Sequence, residues 1–291
     1  MIAPMLVVLF CSACSVVGGS WYFRHLAVTR PPFGVVNLRD VAVAMTAFAL
    51  LPHIYRSVPI IVVAVVLAVF TLAGLLVVLE PLVHGATRWA VCLALVGADV
   101  GIGLAAGVTS EAFLVVNDAV VVLMVIGIAN LWAQGGLRAR HLAVFAAALT
   151  VYDIVVTWQF TIMFDLFVDL SRLPLFPMAA WALDDVQHST LLGVGDLLMA
   201  TLAPLVLRRA YGRTAGLVAL ACGLGTVTAV LVLLATGLIG HTIPVMVFLG
   251  PVTVVQYLYW HLTRGDERTT RQYLLAEPLA HRAISTVAEG R

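Results

Sequence analysis

The stretch LLGVGDLLMA, residues 191–200, decides how this chain is read. It is apolar enough to lie inside a membrane, yet it holds a carboxylate, Asp196, with Gly193 and Gly195 just before it. The rest of the chain sets the frame for that acid. Of 291 residues 62% are hydrophobic and only 11% charged, against roughly 25% charged in soluble domains, and mean hydropathy is +1.07. The composition is that of an integral membrane protein, for which the natural unit is one bundle of helices. A net charge of +1 and the lack of a basic cluster with interleaved aromatics exclude a nucleic-acid reader.

Working outward, apolar runs of about 20 residues bounded by charges or turn residues predict nine spans. They cover 2–22, 38–55, 58–80, 87–107, 112–134, 141–164, 189–207, 215–239 and 243–262. The expected class is all-α: a polytopic bundle over 1–262, with N-terminal spans in 1–134 and a second group in 141–262, then a tail over 263–291. The N-terminal run lacks a positive n-region and continues to Tyr22, so it reads as a retained span. The second span, with Pro52 and His53, is the least regular.

Every positive residue is an arginine. Fourteen of the sixteen fall after spans one, three, five and seven or in the tail; only Arg56 and Arg172 fall on the other side. The positive-inside rule then places the N-terminus outside and the tail in the cytoplasm. The loop over 165–188 carries Asp165, Asp169, Asp184 and Asp185, and its middle, LSRLPLFPMAAW, is too apolar for a solvated linker and too broken by prolines for a span. It is expected to lie at the membrane surface or to cover something. The tail after Gly265 reads as a surface helix or a disordered segment. Cys11, Cys14, Cys92 and Cys222 all sit in apolar stretches and read as packing residues, with no metal implied.

Four acids lie within spans: Asp99, Asp118, Asp153 and Asp196. Facing lipid, each would cost roughly 2.5 to 3.5 kcal/mol, so they must face the bundle interior, be protonated, or both. Asp99 and Asp118 read as acids bonded to a neighbouring helix. Asp153 follows Tyr152 mid-span, and Asp196 lies about seven residues, roughly 10 Å, inside the outer end of the next span. Neighbouring helices would bring these two to similar depth. Two aspartates sharing a low-dielectric site cannot both ionise, so the pair holds one proton. That is the requirement of aspartic proteolysis, in which the ionised acid takes a proton from water and the neutral one donates to the scissile carbonyl. Gly193 and Gly195 clear the approach to Asp196 and loosen its helix. Pro244 and Pro251, in HTIPVMVFLGP, each remove a backbone donor and leave carbonyls unpaired, which is tolerated at membrane depth only where backbone is buried or lines a wet cavity.

These residues resemble the GxGD intramembrane aspartyl proteases, the family of signal peptide peptidase and presenilin. In that family a Tyr-Asp stands in the sixth span, Gly-x-Gly-Asp in the seventh and Pro-Ala-Leu at the start of the ninth. Tyr152-Asp153, Gly193-Val194-Gly195-Asp196 and Pro244-Val245-Met246 stand in that order here. The segments VVNDAVVVLMVIGIAN and STLLGVGDLLMATLAPLVLRRAYG, Gly223-Leu224 and the later proline of IPVMVFLGP look most like signal peptide peptidase. The likeness covers about 112–262; the departure is Pro-Val-Met for Pro-Ala-Leu. It implies catalytic Asp153 and Asp196 and a supporting set of Tyr152, Gly193, Gly195, Pro244, Val245 and Met246. It also implies no cofactor, and substrates that are transmembrane helices or leftover signal peptides taken from the lipid bilayer. Arginine without lysine points to a GC-rich genome and so to a bacterial plasma membrane. The alternatives from other classes are a non-catalytic binder of transmembrane helices and a proton-coupled transporter. Against the transporter, the chain lacks paired broken helices in two matching halves.

Overall fold

The computed structural model describes residues 2–29, 38–55, 57–159, 166, 168–182, 190–236, 238, 244–269 and 272. Asp165, Asp184, Asp185, the ends of the sixth and eighth expected spans and most of the tail lie outside them. The described residues form nine long helices: α1 (Ile2–His25), α2 (Leu38–Tyr55), α3 (Ile60–Leu79), α4 (Gly85–Ala106), α5 (Glu111–Gln134), α6 (Ala139–Gln159), α7 (Val194–Tyr211), α8 (Arg213–Ala235) and α9 (Met246–Arg264). Between α6 and α7 runs a two-stranded antiparallel hairpin, β1 (Met178–Trp181) and β2 (Thr190–Gly193).

The all-α class holds, and α2 matches its expected bounds, Pro52 and His53 included. Five helices, α1, α3, α4, α5 and α8, are long and apolar enough to cross a membrane. The interior is apolar, but large apolar side chains also face outward and several polar ones are buried, unlike the pattern of a water-soluble protein. Phe10, Leu104 and Leu262 are 67%, 77% and 82% exposed, whereas Asp99 and Asn117 are fully buried, with Ser12, Asn130 and Thr201 beside them in the interior. Apolar side chains that face outward while polar ones pair inward suit a lipid surround.

At the centre stands α7. Met199 through Leu207 are buried without a break, which marks a helix enclosed on every side. It packs against α1, α5, α6, α8 and α9, while α3 and α4 cover the far side of α5, and α2 lies on α6. Small residues set the close approaches. A Cβ at Gly19 of α1 would meet the Thr201 methyl of α7 at 2.6 Å, and one at Gly127 of α5 would meet the Gly74 carbonyl of α3 at 2.6 Å. Pro204 removes a donor inside α7, and Gly223 brings α8 against the Ala200 carbonyl that this leaves without its helical partner.

Three expectations are corrected. Residues 190–193 extend and pair with β1 instead of continuing a helix, so α7 starts at Val194. The loop over 165–188 contains β1, which explains its apolar middle: Met178, Ala179 and Ala180 are all buried. The segment just after Gly265 is non-helical over 265–269, and Glu267 is buried against the start of α6. Its Oε2 accepts from the Ala139 N–H (2.8 Å), its Oε1 accepts from the Arg140 N–H (3.2 Å), and Arg138 pairs with it at 3.3 Å. The carboxylate thus meets the orphan donors of a helix N-terminus from a distant part of the chain.

Candidate functional site

Hairpin pairing sets the start of α7. Met178 lies opposite Gly193 and Trp181 opposite Thr190, and the Val194 N–H continues the ladder to the Pro177 carbonyl (3.1 Å). Gly193 is therefore both the last residue of β2 and the N-cap of α7, with extended φ and ψ of −62° and 146°. Asp196 consequently sits in the first turn of α7, not seven residues inside a helix.

The Pro244-Val245-Met246 turn comes to Asp196 from the other side. Met246 opens α9, and its N–H, an orphan of that helix's first turn, donates to Asp196 Oδ1 at 3.1 Å. The N-termini of two helices thus converge on one carboxylate. The Pro244 carbonyl accepts from the Val247 N–H at 3.2 Å, and the Val245 carbonyl accepts from Phe248 and Leu249; the carbonyl four residues before Pro244, which the missing proline donor was expected to leave unpaired, lies outside the described residues. The side chains of Val245 and Met246 are buried in the main core; the backbone of Met246 is what reaches the site.

Asp153, on α6, lies close enough to Asp196 for their charges to interact, and both are half-buried. Tyr152 is half-buried beside Asp153 on the same helix. The structure therefore brings Asp153, Asp196 and Met246 together.

The two glycines differ. A Cβ on Gly193 would stand 3.4 Å from Asp196 Oδ2, the oxygen that Met246 does not occupy. A Cβ on Gly195, which is exposed, would meet nothing within 4 Å. Gly193 keeps the second oxygen clear, and Gly195 leaves an open approach.

Sequence reasoning missed Thr150. Its hydroxyl shares its one proton between two carbonyl acceptors, Ala146 on its own helix (2.8 Å) and Met246 on α9 (3.2 Å). The Met246 residue is thus held on both sides, its N–H by Asp196 of α7 and its carbonyl by Thr150 of α6. Gly250 makes this possible, because any Cβ there would run into the Thr150 hydroxyl and come within 2.9 Å of the Ala146 carbonyl. The available signal was spacing: Thr150 and Asp153 are three apart and so share a helix face.

Asp99 and Asp118, expected to bond to a neighbouring helix, hold main-chain N–H groups of the segment before and within β1, and Asp118 also reaches the neighbouring helix α1. Asp99 Oδ1 accepts from the Leu175 N–H (2.7 Å), and Asp118 Oδ1 accepts from the Ala180 N–H (3.0 Å). The Cys11 thiol of α1 donates to Asp118 Oδ2 at 3.5 Å, so this cysteine does more than pack.

No family model matches the chain, and no curated protein matches it.

Proposed function

We propose that the protein is an intramembrane aspartyl protease of the GxGD type, with Asp153 and Asp196 as the catalytic pair. The observation that carries this reading is their approach on adjacent helices, with Asp196 Oδ1 held by the Met246 N–H and Oδ2 kept clear by Gly193. In the reaction, the ionised member of the pair takes a proton from water as the water oxygen bonds to the scissile carbonyl carbon. The neutral member gives its proton to the carbonyl oxygen. Collapse of the tetrahedral intermediate then breaks the C–N bond, and the amine nitrogen takes a proton from the pair.

A helical substrate hides its carbonyls in its own hydrogen bonds, so it must unwind. Among the described residues no strand pairs with the other edge of β2, and that edge suits an extended peptide, since strand addition supplies main-chain bonds irrespective of side chains. Alternation along the hairpin turns the N–H and C=O of Leu191 and the N–H of Gly193 toward that edge, directly before Asp196. The Pro-Val-Met departure from Pro-Ala-Leu fits this scheme, because the bulk of Val245 and Met246 goes into the core while Met246 serves through its N–H.

In this reading the nine helices are nine spans, with the N-terminus outside and the tail in the cytoplasm of a bacterial plasma membrane. The substrates are single transmembrane helices such as leftover signal peptides. The test is cleavage of a tagged transmembrane peptide by the purified protein, followed by mass spectrometry. Wild type yields fragments, and Asp153→Ala and Asp196→Ala each lose at least about a hundredfold in rate, the scale of acid–base catalysis. A folded wild type that binds such peptides and never cuts them would establish a non-catalytic binder instead.

A further inference from the structure

Asp99, Asn117 and Asp118 take no part in that chemistry, yet all three are buried and reach the same segment. In an antiparallel pair, successive residues turn their N–H and C=O alternately toward the partner strand and away from it. The Val194-to-Pro177 bond places residues 177, 179 and 181 among those facing β2, so Met178 and Ala180 face outward. On that outer edge stands α5. Asn117 Nδ2 donates to the Met178 carbonyl at 3.1 Å, and Asp118 Oδ1 accepts from the Ala180 N–H at 3.0 Å. Two consecutive helical side chains thus take the place of a neighbouring strand. One step earlier, Asp99 of α4 holds the Leu175 N–H, at a residue with φ of 59°.

We propose that Asn117 and Asp118, with Asp99 behind them, are positioning residues for substrate. They close the outer edge of β1 and hold the hairpin so that, of its two edges among the described residues, the β2 edge is the one left for an extended peptide, directly before Asp196. The chain of contact is short: Asn117 binds Met178, Met178 lies opposite Gly193, and Gly193 caps the helix that carries Asp196. An unpaired β1 edge would otherwise expose main-chain polar groups or recruit a wrong strand. This inference rests on the protease reading, and its test separates the two.

Wild type, Asp118→Leu, Asn117→Leu and Asp118→Asn are reconstituted and compared by peptide cleavage and by amide hydrogen exchange over 175–182 and 199–207. Asp118→Leu and Asn117→Leu raise KM about tenfold with kcat within about threefold, as expected when a buried main-chain group loses its partner but Asp196 keeps Met246. Exchange quickens over 175–182 and stays slow over 199–207. Asp118→Asn, which retains the oxygen acceptor, restores both readouts. Unchanged exchange in Asp118→Leu, a kcat loss at constant KM, or an Asp118→Asn as defective as Asp118→Leu overturns the proposal. So does a loss of protection over 199–207 in both Asp118→Leu and Asn117→Leu, which would make these residues determinants of the whole bundle. If the wild type cuts nothing, the protease reading fails, while the exchange arm still decides whether these side chains hold the hairpin.

Discussion

The two ends of α7 are secured by different physics. Where α7 begins, buried side chains of α4 and α5 hold the main chain of the hairpin, and Asp196 and Thr150 hold Met246 from either side. Where it ends, charge does the work on helix termini. Arg209 donates to the Ala133 and Gln134 carbonyls at the end of α5, Arg264 donates to the Tyr211 carbonyl at the end of α7, and Glu267 caps the start of α6. Arginines at C-termini and a carboxylate at an N-terminus both oppose the helix dipoles. Bonds inside the bundle fix distance and direction, because a buried main-chain group that loses its partner pays the full desolvation cost. Charges at a helix terminus act over a distance and tolerate small displacements, and of these the solvent-facing ones weaken in salt while buried Glu267 is shielded from it. Chemistry that needs two carboxylates in fixed relation belongs at the first kind of end.

Breaking the site end at its tightest contact has the largest expected effect. Gly250→Ala forces α9 away from Thr150 and costs about 1–3 kcal/mol, read from denaturant unfolding in detergent, with cleavage falling alongside. Gly193→Ala comes next: crowding Asp196 Oδ2 lowers kcat/KM by about tenfold, equivalent to about 1.4 kcal/mol, with little change in unfolding. Gly195→Ala, with open space around it, stays within about twofold, so equal losses at the two glycines would refute the assignment of Gly193 to the second oxygen. At the charged end, Glu267→Gln leaves one N–H of α6 unmatched and costs about 1 kcal/mol of stability. That loss changes little in 1 M salt, because Glu267 is buried, while cleavage stays near wild type, which sharpens the contrast between the ends.

The helices were legible because apolar runs of membrane length leave a signal that survives uncertain ends. The hairpin was not. MAAW and TLLG are four residues each, and a short apolar run carries no period that tells strand from helix, so Asp196 was placed a turn and more too deep. The meeting of Asp153 with Asp196 followed from the order of their helices. Met246 was marked through its proline neighbour, although its role lies in the backbone, which no side-chain motif displays. Asp99 and Asp118 stood out as buried acids, but their partners are main-chain N–H groups 76 and 62 residues away, beyond any local pattern. Glu267 was hidden among alternating charges, where nothing distinguishes a solvated carboxylate from one that caps a helix.

The Glu267 contact also orders events in time. It spans 128 residues, and its acceptor leaves the ribosome only after all nine helices have been made. Until then the first turn of α6, the helix that bears Asp153, lacks this cap. A chain stopped at Arg264 would carry both aspartates without the carboxylate that caps the start of α6.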